Sequence, residues 1–216
     1  AADPVNFIRC LPDRQLDFVL RGLTGRQARE LHSRWQQWAH AGQYPHDGDW
    51  RVWLIMAGRG YGKTLAGAEW VSRIARENPG AAIALVGATR DDVRKVMVEG
   101  PSGILAVAHG TERLDWTEAK GELVFPTGAV AHVYSAEAFE KLRGPEHGFA
   151  WCDEIAKWSH GEACWHNLLM GMRVGERPRV LVTTTPRAVA LLRRLVDEPG
   201  VVLRGGKTED NMNLPA

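Results

Sequence analysis

The sequence predicts an α/β fold: a mostly parallel sheet flanked by helices, with a helical N-terminal appendage. Three observations predict it. Val52 to Ala57 and Ala81 to Val86 are apolar at successive positions, as strands buried on both faces of a parallel sheet are. Stretches of helical spacing lie between such runs, so strand and helix alternate along the chain. The first run also passes through a glycine-rich turn straight into a helix.

The elements follow in order. Residues 1–49 read as the helical appendage. Thr24 followed by Gln27 fits a capping box, and Leu31, Trp35 and Trp38 recur on one helical face. The turn-rich stretch from Gly42 to Asp49 closes it. Residues 50–216 then carry the core. Val52 to Ala57 is the first strand, Lys63 to Glu77 a helix, Ala81 to Gly87 a second strand and Arg90 to Val98 a helix. Leu114 to Thr117 and Glu122 to Phe125, joined through Lys120-Gly121, read as a hairpin. Ala129 to Tyr134, Phe149 to Cys152, Val180 to Thr183 and Val201 to Leu203 are further short strands. Helices over Ala163 to Met172 and Ala188 to Val196 separate the last three.

At about 150 residues per domain, 216 residues fit one core with an appendage better than two full domains. The 44% hydrophobic and 25% charged content excludes wholesale disorder. No apolar run approaches the ~18 residues a membrane span needs, and the N-terminus lacks a secretory pattern. A net charge of +1 excludes a histone-like polycation but leaves room for a local basic patch. The three cysteines, Cys10, Cys152 and Cys164, are odd in number and lack paired metal-ligand spacing, which reads as a reduced protein without structural zinc.

Three segments carry chemistry. Ala57-Gly58-Arg59-Gly60-Tyr61-Gly62-Lys63-Thr64 resembles a Walker A phosphate loop, with Ala57 where the first glycine usually stands. Glycines let backbone N–H groups turn inward around phosphate oxygens, and the helix behind adds its N-terminal partial charge. Lys63 would reach the β- and γ-phosphates and the Thr64 hydroxyl would ligate magnesium. Phe149-Ala150-Trp151-Cys152-Asp153-Glu154 is an apolar strand ending in two carboxylates and resembles Walker B. Asp153 is the candidate for the magnesium shell and Glu154 for the base that activates water. The third segment, Val180-Leu181-Val182-Thr183-Thr184-Thr185-Pro186-Arg187, ends a strand in three hydroxyls suited to a γ-phosphate or its water; plain β-propensity is the alternative.

Together these residues resemble the large terminase family, the DNA-packaging motors of tailed bacteriophages and related gene-transfer particles. The resemblance is carried by Asp49-Trp50-Arg51-Val52-Trp53-Leu54 through Thr64, Ala66-Gly67-Ala68-Glu69-Trp70, Leu142-Arg143-Gly144-Pro145-Glu146, Trp151-Cys152-Asp153-Glu154 and the threonine run. It implies a P-loop NTPase of the additional-strand, catalytic-glutamate type, using ATP and Mg2+. It also implies roles that the residues alone do not. Arg59 would contact the γ-phosphate in cis. Arg143 would be an arginine finger supplied to a neighbouring subunit, the alternatives being an exposed surface arginine or an intramolecular ion pair. Thr183, Thr184 and Thr185 would couple hydrolysis to DNA movement. Gln43 would stand where the family reads adenine, a solvated loop glutamine being the alternative.

The implied partners are double-stranded DNA, a portal protein and a small terminase subunit. The implied assembly is a homo-oligomeric ring on the portal, monomeric in isolation, in the cytoplasm of an infected or lysogenic bacterial host at the procapsid portal. Two readings stand beside it: a helicase-like translocase of another pathway, and a nucleotide-gated assembly module that does not hydrolyse. The chain ends where the family would enter its nuclease domain and starts without methionine, so an excised ATPase domain without nuclease activity is expected, its lid incomplete. The six arginines between Arg173 and Arg194, against Glu176 as the one acid, read as a solvated helix face ahead of a phosphate-contacting patch. His147, His160 and His166 form no metal-ligand pattern.

Overall fold

Long apolar strands interrupted by helices leave the backbone one economical arrangement, a parallel sheet with helices on its faces. In the computed structural model, eight strands among the described residues form one sheet: β1 (Val52–Ala57), β2 (Ala82–Gly87), β3 (Asp115–Thr117), β4 (Glu122–Val124), β5 (Val130–Ser135), β6 (Phe149–Asp153), β7 (Arg179–Thr184) and β8 (Val201–Gly206). Their order is β3-β4-β5-β2-β6-β7-β1-β8. The hairpin β3–β4 and its junction with β5 are antiparallel, and the other pairings are parallel. The structure describes residues 39–44 and 48–206, with positions 15, 18, 21–25 and 35 before them. Gln27 of the expected capping pair, and Leu31 and Trp38 of the expected helical face, lie outside the described residues.

The chain divides into two compact units, Ala1–Ala39 with His109–Thr111, and His40–Ala108 with Glu112–Ala216; the sheet belongs to the second. Its helices are α1 (Lys63–Glu77), α2 (Arg90–Asp92), α3 (Gly161–Gly171) and α4 (Ala190–Asp197). Alternate residues of the central strands serve the two faces. Leu54, Val86, Cys152 and Val182 pack with Trp165, Leu168, Leu191 and Leu195 of α3 and α4. Trp151 points the other way, against Gly67 of α1. None of the described helices is long and apolar enough to cross a membrane.

The structure differs from the sequence reading in one helix. The helix read over Arg90 to Val98 forms but changes type: α2 passes at Val93 into a π-helical turn through Val98, with Glu99 N donating to Arg94 O at 2.8 Å. The wider turn puts Val93, Met97 and Val98, spaced four and five apart, together in the core. The 3-10 segments Ala136–Leu142 and Ile155–Lys157 carry no helical pattern long enough to announce them.

Candidate active site

The sheet register levels the ends of the three motif strands. Ile55 of β1 and Asp153 of β6 both pair with Thr183 of β7, so the segments following all three strands emerge from one edge. Open α/β sheets bind ligands at such carboxyl edges. In sequence the strands between the two Walker-like motifs are β2 to β5. In the sheet it is β7, the threonine strand, that lies between β1 and β6, while β2 pairs on the far side of β6.

The phosphate loop closes over its own lysine. Gly60 and Gly62 have φ of 78° and 87°, the left-handed region in which a side chain would be strained. Lys63 Nζ donates to Ala57 O at 2.9 Å and to Gly58 O at 2.8 Å. Burial holds the Lys63 ammonium below its ordinary pKa, and the nearby Glu154 and Asp153 carboxylates oppose that shift. Thr64, half-buried, follows in the first turn of α1, and Arg59 stands exposed on the loop. Gln43 is not solvated: it is 2% exposed, and its Nε2 donates to Gly62 O at 3.2 Å. The solvated alternative is thereby corrected, because the turn Ala41–Gln43 packs against the loop's far limb.

The carboxylate pair is built by β6 and its turn. Burial pushes the Asp153 carboxyl up to about 6, helped by Glu154 and opposed by Lys63 and by a 2.6 Å hydrogen bond from the Thr183 hydroxyl. Glu154 has φ of 49°, the one non-glycine in the left-handed region among the described residues. That conformation costs about 1 kcal/mol. It is held by Glu154 N donating to Thr183 O at 2.6 Å and Lys157 N donating to Glu154 O at 2.8 Å. The Thr185 hydroxyl donates to Glu154 Oε1 at 3.0 Å, and Lys157 Nζ lies 3.9 Å from Oε2.

Two of the three threonines, Thr183 and Thr185, are therefore occupied with the carboxylates. Thr183 is fully buried; its hydroxyl accepts from Trp151 Nε1 at 2.9 Å while donating to Asp153. Thr184, also buried, accepts from Ala156 N at 3.3 Å. Only Thr185 reaches a carboxylate at the mouth of the site. Sequence reasoning missed the parts that support these groups: His40, Trp151 as a donor, and Gly67, whose missing side chain admits the indole. None of the three sits in a spacing that would have marked it.

Arg143 stands elsewhere. It forms an ion pair with Glu140 at 3.0 Å and reaches Asn167 Oδ1 at 3.5 Å. The cleft it lines with Asn167, Met170 and Arg173, about 390 Å³, includes no residue of the phosphate loop. The intramolecular ion pair, one of the alternatives, is thus present. The arginine-rich stretch is not one helix face: Arg173 pairs with Glu146, Arg177 with Asp49 and Arg194 with Glu162, and Arg179 lies 4.4 Å over the Trp50 ring. His147 is buried beside Tyr134, its Nε2 3.1 Å from the phenol oxygen.

Among the described residues no three His, Cys, Asp or Glu side chains gather as a metal cage. Magnesium does not require one, since one carboxylate, one hydroxyl and substrate phosphate oxygens suffice. A buried carboxyl with a raised pKa and an adjacent second carboxylate form a donor set that a divalent cation would neutralise, so Asp153 fits that ion.

A glycine-rich loop between a buried strand and a helix, facing an acidic strand end one strand away, defines a phosphate-loop NTPase core. The family model described as "Terminase large subunit, T4likevirus-type, N-terminal" matches residues 54–198. The chain belongs to that family. No curated protein matches it in sequence. Among solved structures it is similar to the large terminase from a thermophilic bacteriophage, with a TM-score of 0.64 and 14% identity over 87% of this chain and 47% of that one. The same phage protein in complex with ATP-gamma-S matches with a TM-score of 0.63 and 16% identity, over 87% and 46%. The Thermus phage P74-26 large terminase ATPase domain matches with 0.60 and 15%, over 90% and 85%. At these identities the likeness shows the fold. The chain spans about half the length of the first of these proteins.

Proposed function

We propose that this chain is the ATP-hydrolysing motor domain of a large terminase, driving double-stranded DNA into a procapsid. One observation carries the reading. The level ends of β1, β7 and β6 bring Lys63, Asp153, Glu154 and Thr185 to one edge, with Lys63 in electrostatic reach of both carboxylates.

In this reading the loop N–H groups and Lys63 bind the β- and γ-phosphates. On binding, the ammonium exchanges its loop carbonyls for phosphate oxygens. Thr64 and Asp153 would hold Mg2+, which when bound would supply charge neutralisation to the phosphates. Glu154 takes a proton from the water that attacks the γ-phosphorus, and Thr185 orients that carboxylate. Arg59 meets the γ-phosphate in cis. Arg143, remote from its own loop, serves a neighbour in a ring, releasing Glu140 to do so. Thr183 to Thr185 link the carboxylates to β7 and so to DNA movement. Gln43 adjoins the nucleotide's loop. The appendage is proposed over residues 1–49 and the ATPase core over 50–216, although the compact units part after Ala39. Portal protein and small terminase subunit are the partners, at the procapsid portal in the bacterial host.

The test is phosphate release per chain across a wide range of protein concentration, for wild type, Glu154→Gln and Arg143→Ala. Glu154→Gln should retain MgATP binding while turnover falls at least ~10²-fold, the usual worth of a general base. Turnover that rises with concentration, and that Arg143→Ala chains fail to stimulate, supports the trans role; a flat rate removes it. Binding without turnover in wild type would favour the nucleotide-gated module.

A further inference from the structure

A loop that turns its N–H groups inward turns carbonyls outward, and those carbonyls need donors if the peptides are to stay in place. On the near limb, Ala57 O and Gly58 O are taken by Lys63. On the far limb, Tyr61 O and Gly62 O are met by two side chains from the turn before β1, Gly62 O also accepting from Ala66 N at 2.9 Å in the first turn of α1. His40 Nε2 lies 3.2 Å from Tyr61 O, its ring edge-on to the Tyr61 ring with 4.5 Å between centroids. Gln43 Nε2 donates to Gly62 O at 3.2 Å.

The turn is locked upon itself. Gly42 N donates to His40 Nδ1 and His40 N donates to Gln43 Oε1, each at 3.2 Å. Because Nδ1 accepts, the neutral ring carries its proton on Nε2 and gives it to Tyr61 O. A Cβ at position 42 would strike the Tyr61 hydroxyl, so glycine there lets the turn close on the loop.

We propose that His40 and Gln43 are positioning residues that hold the last two peptides before Lys63 in their anion-binding orientation. Gln43 thus acts on the loop: its oxygen and one of its N–H groups are committed before any base arrives. A residue that reads adenine affects only ligands with a base. A brace on the loop affects every ligand that carries the phosphates. The proposal rests on the loop being a phosphate site, as in the function proposed above.

The experiment is calorimetric binding of ATP and of inorganic tripolyphosphate, each with magnesium, to the 216-residue chain and three variants. Gln43→Ala should weaken both ligands by the same factor, about five-fold for one lost hydrogen bond. His40→Phe keeps a ring against Tyr61 but has no N–H, and should weaken both similarly; His40→Gln supplies an N–H again and should recover most of the loss. Tripolyphosphate binding unchanged in Gln43→Ala while ATP binding falls would make Gln43 a base reader and overturn the brace. Unchanged binding of both ligands would overturn it as well. Equal affinities in His40→Phe and His40→Gln would remove His40 from the role. If Gln43→Ala fails to fold, the His40 pair decides. Wild-type protein that binds neither ligand would instead overturn the phosphate-site reading itself, a result visible before any variant is compared.

Discussion

Replacing Gly67 with alanine sets two physical effects against each other, and the structure decides the sign. Gly67 sits inside α1, where alanine is favoured over glycine by about 1 kcal/mol. Helix propensity alone therefore makes Gly67→Ala stabilising. A Cβ at that position, however, would come within 3.0 Å of three indole atoms of Trp151, which is fully buried. Overpacking of this kind costs about 1–3 kcal/mol. Moving the indole also strains the Trp151 Nε1 to Thr183 bond, worth about 1 kcal/mol. The net is destabilisation of about 1–3 kcal/mol. Urea unfolding followed by tryptophan fluorescence should show a lower midpoint at unchanged slope. Because Thr183 in turn holds Asp153, metal-dependent nucleotide binding should weaken too. A variant more stable than wild type would refute the packing argument and leave propensity in command.

Two further predictions concern buried titrating groups. Asp153, raised from 3.8 to about 6 by burial, keeps its full contribution to stability below pH ~4 and loses it as pH rises through about 6, so ionisation costs the metal-free fold about 3 kcal/mol at neutral pH. In chelator, Asp153→Asn, which can still accept from Thr183, should melt higher than wild type by roughly 6 °C or more near pH 8 and by little near pH 4; equal melting at both would remove the effect. His147, lowered to about 4 by burial and by His132, shows the opposite sign: its contribution is present above pH 6.5 and is lost as pH falls toward 4. His147→Gln should flatten the acid limb of the stability profile by about 2–3 kcal/mol, and an unchanged limb would assign that loss to other groups.

Much of the core was legible because its signals are local. Val52 to Ala57 had to be a buried strand, since no face of it is polar, and the glycines after it had to be a turn. Lys63 opening a helix and Asp153-Glu154 ending a strand are read from spacing of a few residues. The π-helical turn after α2 was not legible, because it answers to where Val93, Met97 and Val98 meet the core. Arg143 was read as a candidate with alternatives, and its pairing with Glu140 shows how an adjacent acid competes for an arginine until something better arrives.

What the sequence by itself determined is therefore the set of parts: a phosphate loop, an acidic strand end, a threonine-tipped strand and the alternation that lays them in a parallel sheet. Each is fixed by short-range backbone and side-chain preferences. Only the tertiary structure decided which strand stands between β1 and β6, which hydroxyl holds which carboxylate, and that Gln43 is buried against the loop. Those outcomes depend on strand order, register and close packing between residues 19 to 32 positions apart, as in Gln43–Gly62 and Trp151–Thr183, and no pattern within a single segment encodes such a distance.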